Sequence, residues 1–298
     1  MAAVPLEELR FASNPDLIHA MSRASQYLDR AAPVGGEVLE YACGFDHCVP
    51  INPSMIATDF PEFFMWGLDE SLLDIIENCI GLEVAYHGVC IRKEIVDGRA
   101  VGTRLWHLDS EDFNVIRVMI YMNDVLDDED GPFEYVPRHS SPSYRDFPGR
   151  EVITDEEMRR VVPEWRWRRA KGPRGTVLFC AVAKIFHHGK VPWNARKLAS
   201  FYYTSRHPTN EALCRVFSFE PGVPFLRVPL TDRQRACLWK ADSSVGRPGE
   251  VGAAPRDGSV ATSGSRSASP PSPPPSMGTT PSEITGTGCA RPSAGAPA

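Results

Sequence analysis

The chain has 298 residues, 42% of them hydrophobic, and a formal net charge of -6. That length suits one large domain or two small ones. The acidic balance argues against a nucleic-acid partner, because a phosphate backbone must be met by surplus Lys and Arg.

In chain order, residues 1 to about 32 read as helical: "PLEELRFA" and "PDLIHAMSRASQYLD" space their apolar residues by three and four. The start carries acids and lacks the apolar stretch of a secretory signal. No run approaches the roughly 18–20 apolar residues of a membrane helix. Both features point to a cytoplasmic protein without a membrane partner. "GLDESLLDIIENCIG" (67–81) predicts a second helix, acidic near its start and stopped by Gly81. From Gly81 the texture turns to strands. "LEVAYHGVCIRKEIV" is β-branched and aromatic, and Asp97-Gly98 is a turn pair for a tight hairpin. "VIRVMIYM", "GPFEYVP", "GTVLFCAVAKIFHHG" and "KLASFYYTSRH" follow.

Between these strands, residues 154–175 start as a capped helix, with Thr154 and Glu157 as a capping box. They end in a basic cluster from Arg159 to Arg174 around Trp165 and Trp167. A solvated face is the plain reading; an anionic-ligand patch with stacking tryptophans is the sharper one. From about Ser243 the chain is rich in Pro, Ser and Gly, a composition that cannot bury enough apolar surface to offset ordering, so 243–298 reads as a disordered tail. The eight scattered cysteines read as reduced, buried thiols. Cys43 and Cys48 flank His47 in "CGFDHC", but no second pair completes a zinc site.

Short strands, Gly/Pro turns and no alternating helices predict an antiparallel jelly roll with flanking helices. The boundaries are 1–80 for the N-terminal helices, about 81–240 for the jelly-roll core and 1–242 for the whole domain.

"WHLD" sits at the mouth of the apolar run that follows it. Residues i and i+2 of a strand share a face, so His107 and Asp109 point one way and Leu108 the other. Alone, that pair is an ion pair as readily as a metal site. His187 and His188 repeat the arrangement beside another buried strand, and a jelly roll brings distant strands together. Only one of two adjacent histidines can face inward. Two histidines and a carboxylate on one face of a metal are the donor set of non-haem Fe(II) oxygenases. If the electron donor is 2-oxoglutarate, its far carboxylate needs a bidentate cation. Arg196, nine residues after His187, and Lys197 are the candidates, with Tyr121, Ser200 or Thr204 as hydroxyl partners. Arg117, Met119 and Tyr121 share a face of the strand. If that face is internal, Arg117 meets either an acid of the protein or an acid of a bound molecule.

The set "WHLDSEDF…VIRVMIYMNDVLDDEDGPFEYVPRHS…GTVLF…IFHHGK…R…YYTSRHP" resembles the Fe(II)/2-oxoglutarate-dependent dioxygenases of the phytanoyl-CoA hydroxylase-like group, over about 82–207. The resemblance implies a double-stranded β-helix, a form of jelly roll. It also implies iron at His107, Asp109 and His187, and 2-oxoglutarate at Arg196 with Tyr121 and Ser200. The chain departs from the family in its adjacent His188, in a short spacing to Arg196, and in "PRHSS", whose His139 is expected to be structural. Related halogenases carry a small residue where Asp109 stands, so the resemblance implies O2-dependent hydroxylation of a small organic molecule, with a secondary metabolite a natural choice. Desaturation, cyclisation or epimerisation with the same cofactors stay open, as does a non-catalytic metal- or ligand-binding jelly roll. A monomer or homodimer is expected. The substrate approach would lie near 43–66 and 138–172, where "DFPEFFMWG" suits either an apolar ligand or plain packing.

Overall fold

A computed structural model of the chain describes residues 1–31, 47–215 and 229–239. These lie within one compact unit, Met1–Arg247. The expected tail from 243 onward, and Cys43, lie outside the described residues. The N-terminal elements are β1 (Ala2–Pro5), α1 (Asn14–Arg30), β2 (Cys48–Pro50), α2 (Pro53–Asp59), α3 (Pro61–Trp66) and α4 (Glu70–Ile80). Then come β3 (Val84–Glu94), β4 (Ile116–Tyr121), β5 (Phe133–Tyr135), α5 (Asp155–Val161) and β6 (Arg168–Ala170). β7 (Thr176–Ala181), β8 (His187–Gly189), β9 (Lys197–Ser205) and α6 (Asp232–Cys237) complete the set.

The strands form two antiparallel sheets, a larger one in the order β1-β7-β4-β9-β3-β2 and a smaller one in the order β6-β5-β8. A bridge between His107 and His187 adds the 106–107 stretch beside β8. The chain therefore alternates between sheets: β3, then 106–107, β4, then β5 and β6, β7, then β8, and β9. That alternation is the jelly roll the strand texture predicts.

Period-two alternation decides what each face of the larger sheet does. Val118, Ile120 and Phe201 turn outward into a core with Leu17, Phe63 and Trp66 of the helices. Met119, Tyr121 and Leu198 turn inward and meet Phe133 and Ala170 of the smaller sheet. Phe63, Phe64 and Trp66 of "DFPEFFMWG" are thus core residues, so packing is the reading the structure selects for that stretch.

Helix signals in the sequence hold where the side chains supply the caps. Asp69 accepts from the Ser71 N–H at 3.0 Å and opens α4. Gly81, at φ 79°, closes it in the left-handed region that glycine enters without a Cβ penalty. Thr154 and Glu157 form the expected capping box on α5. Two local expectations fail. Residues 2–5 are not helical but an edge strand paired antiparallel with β7, and "LEE" keeps only a single 3-10 turn. Tertiary pairing outweighs a weak helix preference there. Asp97-Gly98 makes a turn, with Gly98 at φ 68°, but no hairpin. The Asp97 carboxylate is taken up by Arg99 at 2.7 Å and Arg104 at 2.6 Å, and the chain runs on irregularly.

Cys48, Cys79, Cys180, Cys214 and Cys237 are free thiols, whereas Cys90 is disulfide-bonded, so the cysteines are not uniformly reduced. No helix among the described residues is long and apolar enough to cross a membrane.

One buried side chain ties the N-terminus to the helical layer. Asn14 donates to the Leu6 and Leu9 carbonyls at 3.0 and 3.1 Å and accepts from the Trp66 indole at 2.9 Å. Replacing Asn14 by Leu strands three polar groups in an apolar core. Urea denaturation is expected to show a loss of about 2–4 kcal/mol, against a change near zero for an exposed control such as Glu7→Gln.

Candidate metal centre

His107 and His187 exchange both backbone hydrogen bonds, at 3.0 and 3.1 Å. Residues paired this way stand directly opposite, with side chains on one face. The two imidazoles consequently lie together, ring centroids 4.4 Å apart. Each Nδ1 donates to the carbonyl two residues back in its own strand, His107 to Leu105 at 2.7 Å and His187 to Ile185 at 3.1 Å. That bond places the proton on Nδ1 and leaves the Nε2 lone pair free to bind a metal. Burial, reinforced by His107, pushes His187 down to about 3, so its ring is neutral at physiological pH.

Asp109 faces both rings. Its Oδ1 lies 3.4 Å from His107 Nε2 and 3.6 Å from His187 Nε2. Its Oδ2 is held by Arg117 at 2.7 Å. Burial works to raise this carboxyl, but Arg117 and the two imidazoles hold it well below the usual carboxylate range. Arg117 also pairs with Glu111 and lies flat on Tyr202, 3.7 Å from the ring centroid. Of the two roles open to Arg117, pairing with internal acids is the one the structure displays. Glu111 was not singled out in the sequence, although the same two-residue alternation carries it to the side of His107 and Asp109.

Three ligand atoms, one each from His107, Asp109 and His187, lie within 4.8 Å of one another. Donors bound in cis positions about 2.1 Å from a divalent metal stand about 3 Å apart. The two edges from Asp109, at 3.4 and 3.6 Å, fit that spacing after a contraction of a few tenths of an ångström. Trp106 and Leu108 turn the other way, into a second apolar cluster.

His188 faces away from this point. Its Nδ1 meets the Arg104 carbonyl at 3.0 Å and its Nε2 meets Glu134 at 2.9 Å. Both ring nitrogens are thus engaged away from the triad. The ring packs on Trp106 at 4.1 Å. Register explains the pair: β5 sets Tyr135 opposite His187 and Glu134 opposite His188.

The other nominated residues take up different places. Arg196 is buried, donates to the Gly131 carbonyl and lies 3.5 Å from Glu94. Lys197 points to the helical layer, where its Nζ meets Ser25 at 2.9 Å and Asp29 at 2.6 Å. The Tyr121 hydroxyl donates to Ala170 O at 2.7 Å and accepts from Phe133 N at 3.1 Å. Ser200 lies inward, opposite Met119 and Cys90. Thr204 pairs with His87 at 2.7 Å. His139 is exposed in a 3-10 turn.

The basic cluster is mostly neutralised by nearby acids. Arg159 meets Glu164, Arg160 meets Glu156, Arg169 meets Glu134, and Lys171 meets Asp128. Trp165 is 71% exposed, but Trp167 is buried against Trp106 at 4.8 Å and offers no stacking surface.

No family model matches the sequence, and no curated protein matches it. Several solved structures are similar in fold. HygX from Streptomyces hygroscopicus, with nickel and 2-oxoglutarate bound, has 16% identity, a TM-score of 0.45, and coverage of 68% of this chain and 82% of its own. SnoN, a non-heme alpha-ketoglutarate-dependent epimerase from nogalamycin biosynthesis, has 14% identity, a TM-score of 0.49, and coverage of 78% and 91%. EctD from S. alaskensis with bound Fe has 15% identity, a TM-score of 0.44, and coverage of 64% and 69%. At such distances shared chemistry does not follow from likeness.

Arg117→Met should free Asp109 Oδ2 and weaken divalent-metal binding roughly 10–100-fold, with Arg117→Lys in between; competition against a chelating dye measures it. Acidification gives a second expectation. Burial, and for His87 also Arg117, lowers both His87 and His187 to about 3. The unfolded chain titrates them near about 6.5 and so binds more protons between the two values. Metal-free stability is therefore full above pH ~6.5 and falls as pH drops toward 3, by up to about 1.4 kcal/mol per pH unit for each group. The urea midpoint should be lower at pH 5 than at pH 7, and His87→Asn, outside the triad, should flatten that difference.

Proposed function

We propose that the chain is a non-haem Fe(II) and 2-oxoglutarate-dependent oxygenase that hydroxylates a C–H bond of a small organic molecule. One observation carries this reading: His107 Nε2, Asp109 Oδ1 and His187 Nε2 converge at the mouth of a jelly roll with a metal's spacing. Two imidazoles and one carboxylate on one side of a metal leave its other positions open, the donor pattern of iron oxygenases. With both bound, iron and 2-oxoglutarate supply the oxidising power of O2-dependent hydroxylation, releasing succinate and CO2.

The chain's own residues perform the positioning. The Leu105 and Ile185 carbonyls fix both imidazole tautomers. Arg117 occupies Asp109 Oδ2 and so directs Oδ1 alone toward the metal. 2-Oxoglutarate needs an inward-facing cation for its far carboxylate. The sequence nominates Arg196, with Tyr121 and Ser200 as hydroxyl partners. A free small molecule in the cytoplasm is the preferred substrate class.

Anaerobic reconstitution with Fe(II) should give one metal per chain, and 2-oxoglutarate should then be converted to succinate. Asp109→Ala or His187→Ala should abolish both, about 100-fold or more in turnover. His188→Gln should keep metal binding and lose stability. If iron-loaded protein neither binds nor consumes 2-oxoglutarate, the oxygenase reading falls and a metal-binding jelly roll without catalysis takes its place.

A further inference from the structure

Strand register sets four side chains in one row across the inner face of the smaller sheet. His107 stands opposite His187, His187 opposite Tyr135, and Tyr135 opposite Arg168. Directly opposed residues share a face, so the row that begins with the two imidazoles continues into a phenol and a guanidinium. The neighbouring positions fix the sense of that face. Phe133 and Ala170, two residues along, lie in the inner cluster, whereas Glu134 and Arg169, in between, pair with each other on the other side.

The two inward rows differ in access. Phe133 and Ala170 are 6% and 5% exposed. In the row of the imidazoles, His187 is 5% exposed, Tyr135 is half-buried and Arg168 is exposed. Exposure thus rises along this row away from the candidate centre.

The polar groups at its outer end are uncommitted. The Tyr135 hydroxyl makes no hydrogen bond among the described residues, whereas that of Tyr121 on the facing sheet has both a donor and an acceptor. Burial raises Tyr135, Cys180 adds to the rise and Arg168 opposes it, so the guanidinium charge reaches this phenol. Arg168 uses only Nη1, on the Trp165 and Trp167 carbonyls, both at 3.0 Å. Those bonds steady the guanidinium and leave its charge without a carboxylate. The groove beside it holds Asp127, Asp128, Glu129 and Glu164, none of which is within ion-pair distance of it. In this Arg168 differs from Arg159, Arg160, Arg169 and Lys171 of the same basic cluster, each of which has an acid.

Resting on the oxygenase reading above, we propose that Tyr135 and Arg168 form a substrate subsite beside the metal centre, and that the substrate is a small organic acid. Its anionic group accepts from the Tyr135 hydroxyl and the free nitrogens of Arg168, and its body lies along the row toward His187. Adjacent strands stand about 4.8 Å apart, so the anion sits between one and two spacings, roughly 5–10 Å, from His187. A guanidinium suits this task because two of its N–H groups can meet one carboxylate in parallel.

The test is calorimetric titration of the full chain, loaded with Fe(II) and 2-oxoglutarate in the absence of O2. It compares 4-phenylbutanoate with 4-phenylbutanamide, alike in shape and different in charge. Wild type should bind the acid about tenfold more tightly. Arg168→Met should bring the acid down to the level of the amide and leave the amide unchanged. Tyr135→Phe should weaken the acid about three- to tenfold. Both variants should keep the wild-type affinity for metal and for 2-oxoglutarate, and the wild-type urea midpoint. Arg166→Met removes a charge from the same cluster but off the row, where Arg166 stacks on Trp165, and should keep the preference for the acid. If wild type binds both probes alike or neither, or if Arg166→Met erases the preference as fully as Arg168→Met, the subsite is overturned and the oxygenase reading stands. If Arg168→Met weakens 2-oxoglutarate itself, the position serves the cosubstrate and the proposal is likewise overturned. If the iron-loaded chain binds no 2-oxoglutarate, the oxygenase reading has failed and the subsite falls with it.

Discussion

The candidate site depends on a backbone event, the pairing of His107 with His187. Both N–H groups and both carbonyls of these residues are used on each other, so their Cβ atoms must lie on one face. Everything else at the site follows from that pairing. Two-residue alternation brings Asp109 to the side of His107 and sends Trp106 and Leu108 into the apolar cluster behind. The same alternation turns His188 outward to Glu134. A slip of one residue in this register would exchange His187 for His188 and take the donor set apart.

Around this pair the jelly roll builds an interior that is unusually charged for a sheet-on-sheet core. Two groups of ionisable side chains stand on the inner face of the larger sheet. One is Arg117 with Asp109 and Glu111; the other is Arg92, Arg104 and Arg196 with Glu94. In low dielectric each charge needs an answering one. In the first group one guanidinium answers two carboxylates, and it orients Asp109. The second gathers its three guanidinium groups around Glu94, with Asp97 on Arg104, among the described residues. The outward face, by contrast, is largely apolar, with Lys93 and Lys197 reaching α1 at one end, and it carries the helices. Stability and chemistry are separated across one sheet.

Much of this was legible before any coordinates. The "HxD" pair before a long apolar run, the strand texture from Gly81 onward and the capped helix at Thr154 each have a local physical cause that survives in the fold. What could not be read depended on partners far away in sequence. Residues 2–5 became a strand because β7 was there to pair with, Asp97-Gly98 launched no hairpin because β3 is already paired on both sides, with β2 and β9, and Trp167 was lost as a surface because Trp106 covered it.

The sequence by itself determined the donor chemistry and the fold class. Residue type sets what an atom can ligate, and hydrophobic period sets which faces are buried; both are local. Only the tertiary structure decided between His187 and His188 as the inward ring, between Arg196 and Lys197 as the inward cation, and whether Arg117 meets an internal acid. Those choices rest on register across strands some 80 residues apart, and on which acid reaches which guanidinium first. No spacing along a single chain contains that information, because it belongs to the sheet.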